Sequence, residues 1–338
     1  MKQRTFFKKP TGVKVTTPEL EGYHRIIDDE EHHEYFESML KIIGKDLLFD
    51  HCRVMPFSYY NRGYMEMYIN DDWRDTGYYL PIIKKHPVTP RYELYCPIAP
   101  VDIIYDKMVE LNKMCLKIKH GKKENIVMPI KATFVPSVLV EVFKKDERFK
   151  VSKSGTDYVD NIVVQSQLKG GQYKRLRNHI SKAERTYIQE RGGHYERLSP
   201  KNVHLAVALF KEWNATQGKK YMRGAVGRDI DLVEYYASRM TDDIVCELVI
   251  VDGKAVSCIF SSIYKHDPTQ SVAVMAKSLT DYTNVSYMNE LHCKKILVEK
   301  GVVHENVAGI YGAGTKMSKG KWKPEFTRNV FTVQLKGD

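Results

Sequence analysis

Two basic stretches carry the residue types that can hold a phosphate ester. The first runs Lys169-Gly170-Gly171-Gln172-Tyr173-Lys174-Arg175-Leu176-Arg177-Asn178-His179-Ile180-Ser181-Lys182-Ala183-Glu184-Arg185. Tyr173, Leu176, Ile180, Ala183 and Tyr187 recur at steps of three and four, so an apolar stripe turns inward. Lys174, Arg175, Lys182 and Arg185 project from the other faces. Arginine adds a planar fork that matches phosphate oxygens. The second stretch runs Gly312-Ala313-Gly314-Thr315-Lys316-Met317-Ser318-Lys319-Gly320-Lys321-Trp322-Lys323-Pro324. Its small residues allow a ligand close to the backbone. The lysines and Trp322 that follow suit a phosphate or a stacked base. Taken alone, each stretch also matches an ordinary solvated helix face or surface loop.

Further candidates lie between them. Lys277 follows Met275-Ala276, and Ser286 stands where a helix N-cap belongs, with Asn289 one turn on. The N–H groups of such a helix start can take a phosphate. No general base is identifiable: Glu247 and Glu290 are candidates by position only, Tyr264 and Tyr311 are candidate acids, and each is of a kind more often structural. The strand pair at 244–264, turned by Asp252-Gly253, is first of all a core hairpin.

Several chemistries are excluded by motif. The chain has no P-loop, no G-x-S-x-G and no H-E-x-x-H. Its six cysteines form no C-x-x-C pair and share no metal-ligand spacing with histidine, so no metal is expected and the thiols read as buried and reduced. Lys plus Arg is 53 against 42 Asp plus Glu, a net charge of +11 that favours polyanionic partners. No apolar window reaches the ~20 residues of a membrane span, and the basic N-terminus has no signal-peptide core. The expected setting is cytoplasmic.

At 338 residues the chain has room for two domains. Residues 1–24 read as a flexible basic arm, punctuated by Pro10, Gly12 and Pro18. In 25–156, periodicity predicts helices over 30–48, 102–116 and 135–143, and strands at 64–69, 78–83, 92–96 and 125–130. In 157–338 it predicts strands at 158–164 and 195–198, and a long helix 173–191 closed by Gly192-Gly193. A helix from Ser199-Pro200 to about 216 follows, then a helix 229–240, the hairpin, a strand 272–277, a helix 286–300, and strands 306–311 and 327–335.

Leu168-Lys169-Gly170 through Arg177-Asn178, then Trp213, Asp252-Gly253-Lys254 and Lys319-x-x-Trp322-x-Pro324, resemble in order the C-terminal cytosolic domain of bacterial phosphatidylglycerol lysyltransferases. Pro56-Phe57-Ser58-Tyr59 and Tyr95-Cys96-Pro97-Ile98 are similar to that family's first half, so the resemblance spans about residues 50–335. It implies an α/β (α+β) chain of two tandem GNAT-like acyltransferase domains, each a mixed, mostly antiparallel sheet flanked by helices, also similar to Fem-type transferases. The first is expected to be degenerate and the second to carry the site. Those relatives use aminoacyl-tRNA as donor and an amine or hydroxyl as acceptor, with no permanently bound cofactor, so tRNA or another nucleic acid is the implied partner. Acetyl-CoA-dependent N-acetylation and acylation of a nucleic-acid base are the alternatives. Lys319 and Lys277, with Glu247 and Tyr311 by position only, are the candidate catalytic residues. Lys174, Arg175, Arg177, Asn178, Ser286, Asn289, Lys316 and Trp322 become the implied donor-binding residues. Two features depart from the family: there is no membrane-spanning segment, and Ala276 precedes Lys277 where many relatives carry an acid.

Overall fold

The computed structural model describes residues 22–26, 29–44, 47–48, 65–76, 82–85, 92–95, 98, 106–108, 131–217, 225–309 and 319–336. The chain divides into two compact units. One takes Met1–Asp46, Gly63–Ser154 and Val330–Asp338; the other takes Leu47–Arg62 and Gly155–Asn329.

The first unit holds β1 (Tyr23–Arg25), α1 (Glu30–Leu40), β2 (Met65–Asn70), β3 (Ile82–Lys85), β4 (Tyr92–Tyr95), β5 (Lys131–Pro136) and α2 (Ser137–Lys144). Its strands run in the order β1-β2-β3-β4-β5, and residues 330–334 of the last strand, β12 (Phe326–Leu335), pair antiparallel with β5. Among the described strand pairs of this unit, only β4 with β5 is parallel. Asp29 caps α1 by accepting from the His32 N–H at 2.9 Å, and the helix closes at Leu40, short of the predicted 48. The predicted helix 102–116 and strand 125–130 lie almost wholly outside the described residues.

The second unit begins in β6 (Phe149–Asn161), of which 155–161 belong to it. It continues through α3 (Ile162–Gln167), α4 (Lys174–Ala183), β7 (His194–Arg197), α5 (Val203–Gln217), α6 (Ala225–Tyr236), β8 (Ile244–Val251), β9 (Lys254–Tyr264), β10 (Asp267–Ser278), α7 (Val285–Glu299) and β11 (His304–Gly309). Its sheet order is β6-β11-β10-β9-β8-β7. All pairs are antiparallel except β10 with β11. Every residue of β8 is buried, which explains an apolar run that only Glu247 interrupts. Asp252 and Gly253, both at positive φ, turn the hairpin where the sequence places it. Ile162, Val245, Ile259, Ile263, Cys293, Leu297 and Val302 form one core cluster, and Cys246, Cys258 and Cys293 are buried free thiols.

Three local predictions are corrected. The strand 158–164 stops at Asn161, whose Oδ1 accepts from the Val164 N–H at 3.2 Å and starts α3. This cap overrides the β-branched run Ile162-Val163-Val164. The helix from Ser199 begins four residues later, at Val203, because Asn202 Oδ1 accepts from the Ser199 N–H at 2.8 Å and holds a turn there. The long helix 173–191 is α-helical only over α4 and widens into a π-helix at Glu184–Glu190.

Gly193 closes that π-helix. Its N–H donates to the Tyr187 carbonyl at 2.9 Å. A Cβ at Gly193 would lie 2.5 Å from the Tyr187 carbonyl oxygen and 2.8 Å from that of Ile250. Both are backbone atoms and cannot swing aside. Gly193→Ala is therefore expected to destabilise the protein by about 1–3 kcal/mol. Urea denaturation measures it, and an unchanged midpoint would show that the backbone gives way freely.

Candidate active site

The parallel pair β10/β11 is ladder-bonded from Gln270–Val272 against His304–Asn306. Beyond Asn306 the chain slips register against β6, and Ala308 takes φ +63°. Asn306 drives this bulge: its Oδ1 accepts from the Ala308 N–H at 2.8 Å while its Nδ2 donates to Asp157 Oδ2 at 3.0 Å. Three successive carbonyls, Val307, Ala308 and Gly309, then receive the Lys319 ammonium, the latter two at 2.9 and 3.0 Å. Burial pushes the Lys319 amine down to about 8, opposed by Asp157, Glu290 and Asp160. Lys319 thus stands at the bulge, with a carbonyl for each of its three protons.

Beside it is a buried ionic cluster. Lys294, on α7, is 0% exposed and donates to Asp160 Oδ2 at 2.9 Å and Glu305 Oε2 at 3.3 Å. Its Nζ is 3.6 Å from Glu290 Oε1 and 4.9 Å from the centre of the Trp322 ring. The three carboxylates hold Lys294 firmly protonated against the desolvation that opposes it. Glu305 is also held by the Ser261 hydroxyl at 2.8 Å. Trp322, expected in an exposed binding loop, is 1% exposed. Its carbonyl accepts from Gln165 Nε2 at 2.9 Å and the Tyr173 hydroxyl at 3.3 Å. The apolar ring is buried as core, which corrects its placement as a surface stacking group.

The other predicted residues are distributed as follows. Lys277, near the end of β10, lies 3.1 Å from Asp229 Oδ2 and 4.8 Å over the Trp213 ring. The carboxylate missing from its own strand comes from α6. Glu247 Oε2 lies 3.6 Å from His292 Nε2, and that imidazole stacks on Tyr195 at 3.8 Å. Ser286 is not the N-cap of α7; Asn284 is, at φ +67°, with no side-chain cap bond. Asn289 is fully buried, donating to the Glu247 carbonyl at 3.1 Å and to Ser257 Oγ at 3.0 Å. It fastens α7 to β8 and β9 and faces away from solvent. Tyr311 and Lys316 lie outside the described residues.

On α4, Lys174, Arg175 and Asn178 are exposed. Arg177 instead braces its own entry loop, donating to the Leu168 carbonyl and, at 2.8 Å, to that of Gly170. Lys321 lies near this helix through α7: its Nζ is 2.8 Å from the Tyr287 hydroxyl, and Tyr287 packs near His179. Burial pushes the His179 imidazole down, and Lys321, Arg175 and Lys182 push it further. Among the described residues, none of Lys174, Arg175 and Lys182 has a carboxylate partner. A patch of uncompensated positive charge results.

Lys294, Asp160 and Glu305 were missed by the sequence reading. Lys294 and Glu290 are spaced i,i+4 on a helix, the pattern of an exposed surface pair. The one available signal was the apolar setting on both sides of Lys294, in Leu291, Cys293, Ile296 and Leu297.

No protein-family model matches the chain, and no curated protein matches it in sequence. Solved structures share its fold. A conserved protein of unknown function from Bacteroides thetaiotaomicron matches with TM-score 0.70 at 15% identity, over 93% of this chain and 99% of its own. L-PGS from Bacillus licheniformis matches with TM-score 0.60 at 12% identity, over 92% and 93%. FemX matches with TM-score 0.57 at 12% identity, over 92% and 96%. A tandem GNAT protein also shares the fold. The resemblance drawn from Arg177-Asn178 and Lys319–Pro324 is borne out at the level of the fold. Among the described residues, no helix is long and apolar enough to cross a membrane.

Proposed function

We propose that this protein is an acyltransferase that moves an aminoacyl group from aminoacyl-tRNA to an amine or hydroxyl acceptor. The observation that carries this is the edge of β10 beyond Val272. Among the described residues it has no ladder partner on the β11 side, and it lies next to the bulge that Lys319 holds. Unpaired strand N–H and C=O groups can align an extended acyl donor. An ester donor is already activated, so positioning and charge stabilisation suffice for transfer. The acceptor's nitrogen or oxygen bonds to the carbonyl carbon, the ester C–O bond breaks, and the ribose oxygen leaves with a proton. Lys277 and the free backbone N–H groups of this edge are assigned to the developing oxyanion, and Lys319, whose three protons go to the bulge carbonyls, fixes the edge in place. Lys174, Arg175, Lys182 and Lys321 are assigned to the donor's phosphates. The fold shared with L-PGS and FemX supports acyl transfer in general.

The test is direct. Mass spectrometry of ligand retained by the purified protein separates tRNA from CoA. Binding of a bulk aminoacyl-tRNA pool is then measured at 50 and 200 mM salt. About four phosphate contacts predict a loss of roughly 10²-fold in affinity across that range. Salt-insensitive binding sinks the tRNA assignment. Saturable CoA retention without tRNA affinity replaces it with acyl-CoA-dependent N-acetylation.

A further inference from the structure

The cluster around Lys294 holds three carboxylates and one ammonium, and its members differ sharply in setting. The side chains of Lys294, Asp160 and Glu305 are 0%, 1% and 4% exposed, whereas that of Glu290 is 27% exposed. Asp160 and Glu305 are the nearer partners of Lys294, at 2.9 and 3.3 Å, and Glu290 is the farthest, at 3.6 Å. Lys294 is shared among three carboxylates, and their mutual repulsion favours proton uptake by the one it holds least. Glu290 is the carboxylate that is both farthest from Lys294 and most open to solvent. Its neighbours from each packed element are Lys294 on its own helix, Asp160 on β6, Glu305 on β11, and Trp322 and Lys319 from the C-terminal segment.

We infer that Glu290 is the catalytic residue that takes the acceptor's proton during transfer, with Lys294 as the positioning residue that holds its carboxylate at the solvent edge of the cluster. This rests on the acyl-transfer assignment above. The acceptor's N–H or O–H bond breaks and its proton goes to the Glu290 carboxylate. The acceptor bonds to the carbonyl carbon, the ester C–O bond breaks, and Glu290 returns the proton to the leaving ribose oxygen. The residue ends as it began, so no further reactant is needed. Burial, followed by Asp160 and Glu305, pushes the Glu290 carboxyl up to about 7, with Lys294 opposing. A base of that strength suits proton transfer near neutral pH.

The experiment compares the intact wild-type protein with Glu290→Gln, an isosteric change at a partly exposed position whose folding is checked by thermal denaturation. The probe is a bulk tRNA pool charged with radiolabelled amino acids. Ethanolamine, which offers an amine and a hydroxyl, is the added acceptor, and release to water is read in parallel from pH 5.5 to 9. The wild-type rate should rise through about pH 7 and then level. Glu290→Gln should bind the pool within about twofold of wild type, transfer at least about 10²-fold more slowly, and lose the inflection. Lys294→Arg should move the midpoint of the profile without changing donor affinity. Unchanged rate and inflection in Glu290→Gln would overturn the inference and leave the donor assignment standing. A wild-type protein that neither binds the pool nor releases its amino acid would overturn the donor assignment, and this inference with it.

Discussion

Lys294→Met is expected to destabilise the protein by about 3–5 kcal/mol, a large share of the roughly 5–15 kcal/mol that holds a folded domain together. The side chain is 0% exposed and stands between Asp160 and Glu305, themselves 1% and 3% exposed as residues. Methionine fills a similar volume, so packing is largely preserved. What is lost is the ammonium that donates to two buried carboxylates. Their mutual repulsion in a low-dielectric interior then opposes folding. The urea midpoint at neutral pH reads the loss. Adding Glu305→Gln to Lys294→Met should restore part of it, because one of the two uncompensated charges is gone while the amide oxygen can still accept from Ser261. A loss below about 1 kcal/mol in the single variant would place the cluster among solvated surface pairs and contradict its burial.

The triple variant Arg175→Ala, Lys182→Ala and Lys321→Ala is expected to lower affinity for the aminoacyl-tRNA pool by on the order of 10³-fold at 50 mM salt. Each phosphate contact contributes about one decade there and about one unit of salt slope, so the slope should flatten by about three. The imidazole of His179 senses the field of these three cations, which together with burial push its proton affinity down. The substitutions remove no core side chain, so stability should hold. Lys144→Ala is the control, since its ammonium is already 2.7 Å from Glu141. Equal losses in the triple variant and the control would mean that nucleic acid follows net charge alone. An unchanged slope in the triple variant would remove this face from the interface.

The two basic stretches met different ends. The helix stretch was legible almost whole: Leu176, Ile180 and Ala183 are buried and Lys174, Arg175 and Lys182 exposed, as the three-four spacing requires. Arg177 departed from its expected role because the left-handed turn at Leu168 and Gly170 leaves two carbonyls for its guanidinium to satisfy. The tail stretch read as a loop with an exposed Trp322, yet Trp322 is core and Lys319 is stitched to a bulge. The signal that would have revealed this, the positive φ of Ala308, leaves no mark on residue type, because alanine is not the residue that such a turn favours.

Periodicity and turn chemistry act over a few residues, and to that range the chain is open to reading. The 244–264 hairpin, the inward stripe of α4, the run of mixed strands and helices, and the cationic surplus all follow from neighbours in sequence. The cluster that organises the candidate site does not. Asp160, Glu290, Lys294 and Glu305 come from β6, α7 and β11, and Trp322 from the tail. Each looks, along the chain, like an ordinary surface charge or loop aromatic. The raised proton affinity of Glu290, the firm protonation of Lys294 and the closeness of the cluster to Lys319 exist only after the β6–β11–β10 register and the packing of α7 bring these residues together and exclude water, because desolvation belongs to the assembled interior and not to any local stretch of sequence.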